Sequence, residues 1–292
     1  AYEITTRLVG SEMCIRDSSM EEAAKDKEMI VMAVASSYVR STSKLLKPYV
    51  DEGQIVVDVA KGIENETFDT MTEIIEQEIP GVEAVVLSGP SHAEEVARNI
   101  PTVVVVGAKK FKVALKVQNL FANKVFRTYI SPDRKSIELG GSLKNVIALA
   151  AGIIDGLGFG DNTEAALITR GIKEITQLGV EMGGNAKTFY GLSGIGDLIV
   201  TCNSKHSRNR RAGVLIGKGY TLDEAVKEVK MVVEGAVSAK AALELARKYN
   251  VSVPIIEAVN QVLFEGKTAI DGMWELMERE QTNEYRDLQW DE

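Results

Sequence analysis

Ile55-Val-Val-Asp-Val59-Ala-Lys61-Gly62 is a mostly apolar run of strand length that ends in a lysine and a glycine. A run this short without helical spacing predicts a β-strand, and the glycine predicts a turn at its carboxyl end. Working outward, similar runs at 29–34, 84–87, 102–106 and 125–130 also predict strands. Segments 38–50, 66–79, 91–99 and 110–122 carry helical spacing between them. Strands alternating with helices are the pattern of a parallel sheet covered by helices.

From about residue 133 the pattern changes to helices only. The expected fold is therefore α/β: an incomplete doubly wound (Rossmann-like) parallel sheet over 19–132, an all-α substrate and catalytic domain over 133–280, and a polar tail over 281–292. Residues 1–18 show no sustained periodicity, and Leu8 to Ser18 resembles a translated sequencing adapter. They are expected to form a non-native or disordered segment. A doubly wound domain opens with a strand, a glycine-rich turn and a helix, because backbone N–H groups must approach a pyrophosphate closely. No G-x-G-x-x-G occurs in the chain, so at least one βαβ unit is expected to be missing.

Composition narrows the function. A chain of 292 residues with 45% hydrophobic and 26% charged residues is expected to be a soluble two-domain protein. No run of about 18 apolar residues is evident, which argues against a membrane span. A net charge of -8 argues against a general nucleic-acid binder. Two cysteines, Cys14 and Cys202, make no disulfide framework, and His92 and His206 are too few for a typical zinc site. The plain reading is a reduced, cytoplasmic, metal-free protein.

Three segments are candidates for chemistry. Gly140-Gly-Ser-Leu-Lys144-Asn145 places a lysine at the predicted entrance to an apolar helix over 142–155. With Ser142 as the N-cap, Lys144 lies in the first turn, where helix dipole and burial both lower its pKa. Such an amine can pass a proton to and from a carbonyl oxygen; the plainer alternative is a side chain that snorkels to water. Lys205-His-Ser207-Arg208-Asn209-Arg210-Arg211 concentrates positive charge in an acidic protein. Ser207 as a helix N-cap, with Arg208 and Asn209, would make a socket for a phosphate dianion. A salt-bridged surface helix or a nucleic-acid patch is the alternative. Gly194-Ile-Gly196-Asp197 predicts a tight turn that presents Asp197, with Thr201 one helical turn on. An N-capping aspartate explains that motif equally well.

Lys61-Gly62 and Gly89-Pro90-Ser91 follow predicted strands at their carboxyl ends, the edge where open α/β sheets bind ligands. Read in order, Ala60-Lys61-Gly62, Ser88-Gly89-Pro90-Ser91, Gly141-Ser-Leu-Lys144-Asn145-Val146, Gly194-Ile-Gly196-Asp197-Leu and Ser207-Arg208-Asn209-Arg210-Arg211 resemble the bacterial-type NAD(P)-dependent glycerol-3-phosphate dehydrogenases from about Ser19 to Arg279. The resemblance implies interconversion of sn-glycerol 3-phosphate and dihydroxyacetone phosphate with NAD or NADP, supplying phospholipid synthesis. It implies Lys144 as acid/base, with Lys61, Asn145, Asp197 and Thr201 around the reacting carbonyl. It assigns Gly89, Ser91, Ser207, Arg208 and Asn209 to the glycerol phosphate, and Lys61, Ala93, Arg208, Val232 and Glu234 to the cofactor. No metal is implied, and a homodimer is possible. The competing readings are an inactive fragment lacking the glycine-rich turn and a related hydroxyacid dehydrogenase.

Overall fold

The computed structural model describes residues 19–284 and 290. The expectation for 1–18 lies outside the described residues, as do 285–289 and 291–292 of the tail. After a short helix α1 (Met20–Ala24), five strands form one sheet: β1 (Met29–Met32), β2 (Ile55–Asp58), β3 (Glu83–Ser88), β4 (Thr102–Gly107) and β5 (Phe126–Ser131). They lie side by side in chain order. All five predicted strands are present. Alternating side chains enter separate layers, as strand geometry requires. Val56 and Ala84 pack with Val39, Leu46, Met71, Ile74 and Ile75 of α2 (Val39–Leu46) and α3 (Met71–Glu78). Ile55, Val57, Val85 and Val104 face the opposite way, onto Ala114 and Val117 of α5 (Phe111–Phe121). Helices thus cover both faces.

Two expectations about this sheet need correction. The β3–β4 pair is antiparallel, Leu87 facing Val106, while the other three pairs are parallel. The helix expected over 91–99 is only the single turn α4 (Ala93–Val96), capped at Ala97 and followed by a turn that places Asn99 at φ 59 ahead of Pro101.

From Asp133 onward only helices follow among the described residues. The first of them, α6 (Arg134–Gly156), is the axis of the molecule, with nearly every residue from Ser136 to Ile154 buried. Its N-terminus is fixed by Asp133, whose side chain accepts from Ser136 N, and by Arg134, which pairs with Glu76 at 2.8 Å and donates to Ala84 O at 2.7 Å. The predicted start at Ser142 is therefore corrected. Gly140 and Gly141 lie inside the helix, and the reason for glycine is close approach rather than termination. A Cβ at Gly141 would stand 3.0 Å from Ser88 Oγ. By length and mean hydropathy, 1.5, α6 could cross a membrane, but 94% of that window is buried inside the protein, so it is a core helix.

Around α6 pack α7 (Asp161–Glu181), α8 (Ala186–Phe189), a π-turn (Leu192–Gly196), α9 (Asp197–Asn203), α10 (Arg208–Gly217), α11 (Leu222–Val229), α12 (Glu234–Tyr249), α13 (Pro254–Phe264) and α14 (Ala269–Met277). A capping box of Thr221 and Glu224 opens α11, and Pro254 stands at the start of α13. Between α6 and α10 the backbones approach closely. A Cβ at Gly152 would fall 2.0 Å from Arg210 O, and one at Gly213 would fall 2.1 Å from Leu149 O.

Candidate active site

The carboxyl ends of β2 and β3, the middle of α6 and the beginnings of α9, α10 and α12 converge on one place. Lys144 projects from α6 with its side chain 5% exposed. Its Nζ donates to Asp197 Oδ1 at 2.5 Å and to Thr201 Oγ1 at 2.6 Å. Thr201 in turn donates to Asp197 O at 2.5 Å, so its hydroxyl hydrogen is used and a lone pair is left for the amine. The π-turn delivers Asp197 to the first residue of α9, and Thr201 follows one turn later on the same face, as the glycine motif predicted.

Lys61 closes the other side. Its Nζ donates to Asp197 Oδ2 at 2.6 Å and to Gly89 O at 3.0 Å. The Gly89 carbonyl also accepts from Ser91 Oγ at 3.0 Å. Gly89 has φ +134, and a Cβ there would sit 3.1 Å from Val104 Cα, so both conformation and space call for glycine. One carboxylate thus bridges two ammonium groups from the two halves of the chain.

The charges respond accordingly. Burial pulls the Lys144 ammonium down to about 8, the nearby Lys61 adds to that pull, and Asp197 opposes it. Burial pushes Asp197 upward, yet Lys144 and Lys61 outweigh it and hold the carboxyl below its usual range. The helix dipole plays no part in lowering Lys144, because the residue stands mid-helix; the macrodipole acts within the first and last turns.

The second predicted constellation reaches the same place. Asn145 Oδ1 accepts from Asn209 Nδ2 at 3.0 Å, and Asn209 Oδ1 accepts from Gly235 N at 2.8 Å. Ser207 is the N-cap of α10, its hydroxyl accepting from Arg210 N at 3.2 Å. The basic cluster divides by role: Arg210 pairs with Asp155 at 2.9 Å, whereas Lys205, Arg208 and Arg211 are exposed. Glu234 opens α12 and accepts from Ser36 Oγ at 2.7 Å, tying the loop after β1 to the helical half. Ala93 and Val232 are exposed and make no polar side-chain contact with the cluster. Sequence reasoning missed Ser36, although its place just after a strand at the ligand-binding edge is a signal. It also missed Asp58, fully buried at the end of β2 with both oxygens unpaired among the described residues and its carboxyl pushed up by burial and by Glu138.

The chain that carries this lysine–aspartate–lysine bridge is similar to known proteins. Residues 10–114 match the family described as NAD-dependent glycerol-3-phosphate dehydrogenase N-terminus, and residues 133–273 match its C-terminus. The chain belongs to this family. Glycerol-3-phosphate dehydrogenase [NAD(P)+] of Agathobacter rectalis is 60% identical over 273 residues, which is 94% of this chain and 81% of that protein. The Bacillus subtilis protein of the same name is 50% identical over 93% of this chain and 79% of its own length. A crystal structure of glycerol-3-phosphate dehydrogenase from Coxiella burnetii superposes with a TM-score of 0.86 at 33% identity, covering 89% of this chain and 80% of that one. Its relatives in the glycerol-3-phosphate dehydrogenase family therefore share both halves of the fold described above.

Proposed function

We propose that this chain interconverts sn-glycerol 3-phosphate and dihydroxyacetone phosphate with NAD(H) or NADP(H), and that Lys144 is the acid/base. The observation that carries the reading is the buried Lys144 ammonium, held by Asp197 and Thr201 at 2.5 and 2.6 Å with its pKa near 8. A lysine tuned this way is a stronger acid than an exposed one and still holds a proton near neutral pH. A bound nicotinamide coenzyme supplies the hydride for ketone reduction and takes it back in the reverse direction. As the carbonyl carbon gains a hydride, its oxygen gains the proton of Lys144; in alcohol oxidation the neutral amine removes that proton. Asp197 orients both lysines and offsets their charge, and Lys61 adds a second positive group beside the developing oxyanion.

Ser91, Ser207, Arg208 and Asn209, together with the Gly89 turn, are assigned to the glycerol phosphate. Asn145 couples the acid/base helix to that socket through Asn209. The carboxyl edge of the sheet fits a nicotinamide coenzyme. Ser36 and Glu234 tie the two halves together by their hydrogen bond, and a Cβ at Gly62 would fall 2.2 Å from Ser36 Cβ, so the loops after β1 and β2 are in contact there. Ser88 Oγ is buried at the same edge without a partner among the described residues. Lys61, Ala93, Arg208, Val232 and Glu234 would hold the coenzyme. The test is oxidation of NADH or NADPH on addition of dihydroxyacetone phosphate, with Lys144→Ala lowering turnover by about 10² or more. Unchanged turnover in that variant removes Lys144 from the chemistry.

A further inference from the structure

His92 stands between Ser91 and Ala93, two residues already assigned to ligands, yet nothing so far uses it. Its Nε2 is buried and has no hydrogen-bond partner among the described residues. Leaving a buried ring nitrogen unpaired costs free energy, so such atoms in folded proteins call for an explanation. The imidazole lies across from the helical half, with its ring centroid 6.3 Å from that of His206, at a 55° tilt. His206 immediately precedes Ser207, the cap of the anion socket on α10. The two rings therefore span the gap between the loop after β3 and the loop before α10, at the rim of the Lys61–Asp197–Lys144 bridge.

We propose that His92 is a further substrate-binding residue, whose Nε2 donates a hydrogen bond to the phosphoryl group of the three-carbon substrate. The ligand chemistry follows from the surroundings. Ser91 and the Gly89 turn precede it in the loop after β3, and His206 opposite leads into Ser207–Asn209, so both groups assigned to the glycerol phosphate adjoin this pair of rings. The groups that act on His92 are Lys144 from α6, Asp197 from α9, Lys61 from the loop after β2, Glu94 on its own short helix and the His206 ring opposite. Burial and the two lysines lower the pKa of the ring in the free protein, against the pull of Asp197 and Glu94. A phosphate dianion reverses that balance and favours the imidazolium, so binding is accompanied by proton uptake at His92. This assignment rests on the substrate reading above.

The experiment is calorimetric titration of the full chain with sn-glycerol 3-phosphate at pH 7, in two buffers of different ionisation enthalpy. His92→Phe is expected to weaken binding about tenfold, the loss of one charge-assisted hydrogen bond. His92→Gln, whose carboxamide can still donate, is expected to recover most of the affinity, and both variants lose the proton uptake of the wild type. Affinity within twofold of wild type in His92→Phe, or undiminished proton uptake, overturns the proposal. Wild type that oxidises NADH with dihydroxyacetone phosphate while His92→Phe binds normally sinks this inference alone. Wild type that binds in a His92-dependent way but turns nothing over sinks the reaction instead, and failure of the wild type to bind sinks both.

Discussion

Asn145 and Asn209 lie 64 positions apart and share a hydrogen bond of 3.0 Å, which joins the helix bearing Lys144 to the helix that opens at the anion socket. Asn209 spends its carbonyl on Gly235 N as well, so one amide fastens α6, α10 and α12 together. Asn209→Ala leaves the buried Gly235 N–H and the Asn145 side chain short of partners. Its expected cost is about 1–3 kcal/mol in denaturant unfolding, together with a raised KM for dihydroxyacetone phosphate. Wild-type stability with a normal KM would show that the amide is replaceable by solvent.

The pH dependence of the two reaction directions should be opposite. With the Lys144 ammonium near 8, ketone reduction needs the protonated form and declines as pH rises through about 8. Alcohol oxidation needs the free amine and rises through the same value to a plateau. Pre-steady-state rates across pH 6–10 read this directly. A profile that stays flat in both directions between 7 and 9 is incompatible with Lys144 as the titrating group.

Asp197→Asn removes the negative charge that bridges the two ammonium groups. Without it the charge of Lys61 and burial pull the Lys144 ammonium down unopposed, so the limb near 8 moves to lower pH. Stability falls as well, by roughly 3–5 kcal/mol, because a partner of a buried ion pair has been deleted. A variant with an unmoved pH limb would mean that Asp197 serves packing and not charge.

Stability itself should fall toward alkaline pH. Burial raises Glu138 to about 7 and Glu174 to about 8 from the usual 4.5, although each accepts backbone hydrogen bonds: Thr72 N for Glu138, and Ile255 N and Ile256 N for Glu174. A group whose folded pKa is raised binds more protons in the folded state, so its contribution is complete below about 4.5 and is lost as pH rises through 7 to 8. Thermal melts should show Tm declining across that window, and Glu174→Gln, which keeps an acceptor at the start of α13, should flatten part of the decline. An identical slope in the variant would refute the assignment.

Gly152→Ala tests the coupling between core packing and ligand. Its Cβ would fall 2.0 Å from Arg210 O, so α10 must shift. Overpacking of this kind costs about 1–3 kcal/mol. Because Ser207 to Asn209 ride on the same helix, affinity for glycerol 3-phosphate should drop although the substitution touches no ligand.

Local chemistry was legible from residue order. Period and run length placed the five strands, Ser207 capped α10 as read, and Gly194-Ile-Gly196 announced the turn that presents Asp197. These features depend on a few neighbouring residues, which is the range over which backbone dihedrals, caps and turn glycines act. The start of α6 was misplaced because Gly140 and Gly141 look like a helix boundary, and their real reason, contact with the Ser88 edge and the π-turn, involves residues far along the chain. The direction of β4, the pairing of one aspartate with two distant lysines, the source of the Lys144 pKa and the unpaired nitrogen of His92 are likewise long-range facts. Burial and Coulomb interaction depend on distance through space, and the chain order fixes that distance only after the two halves have packed.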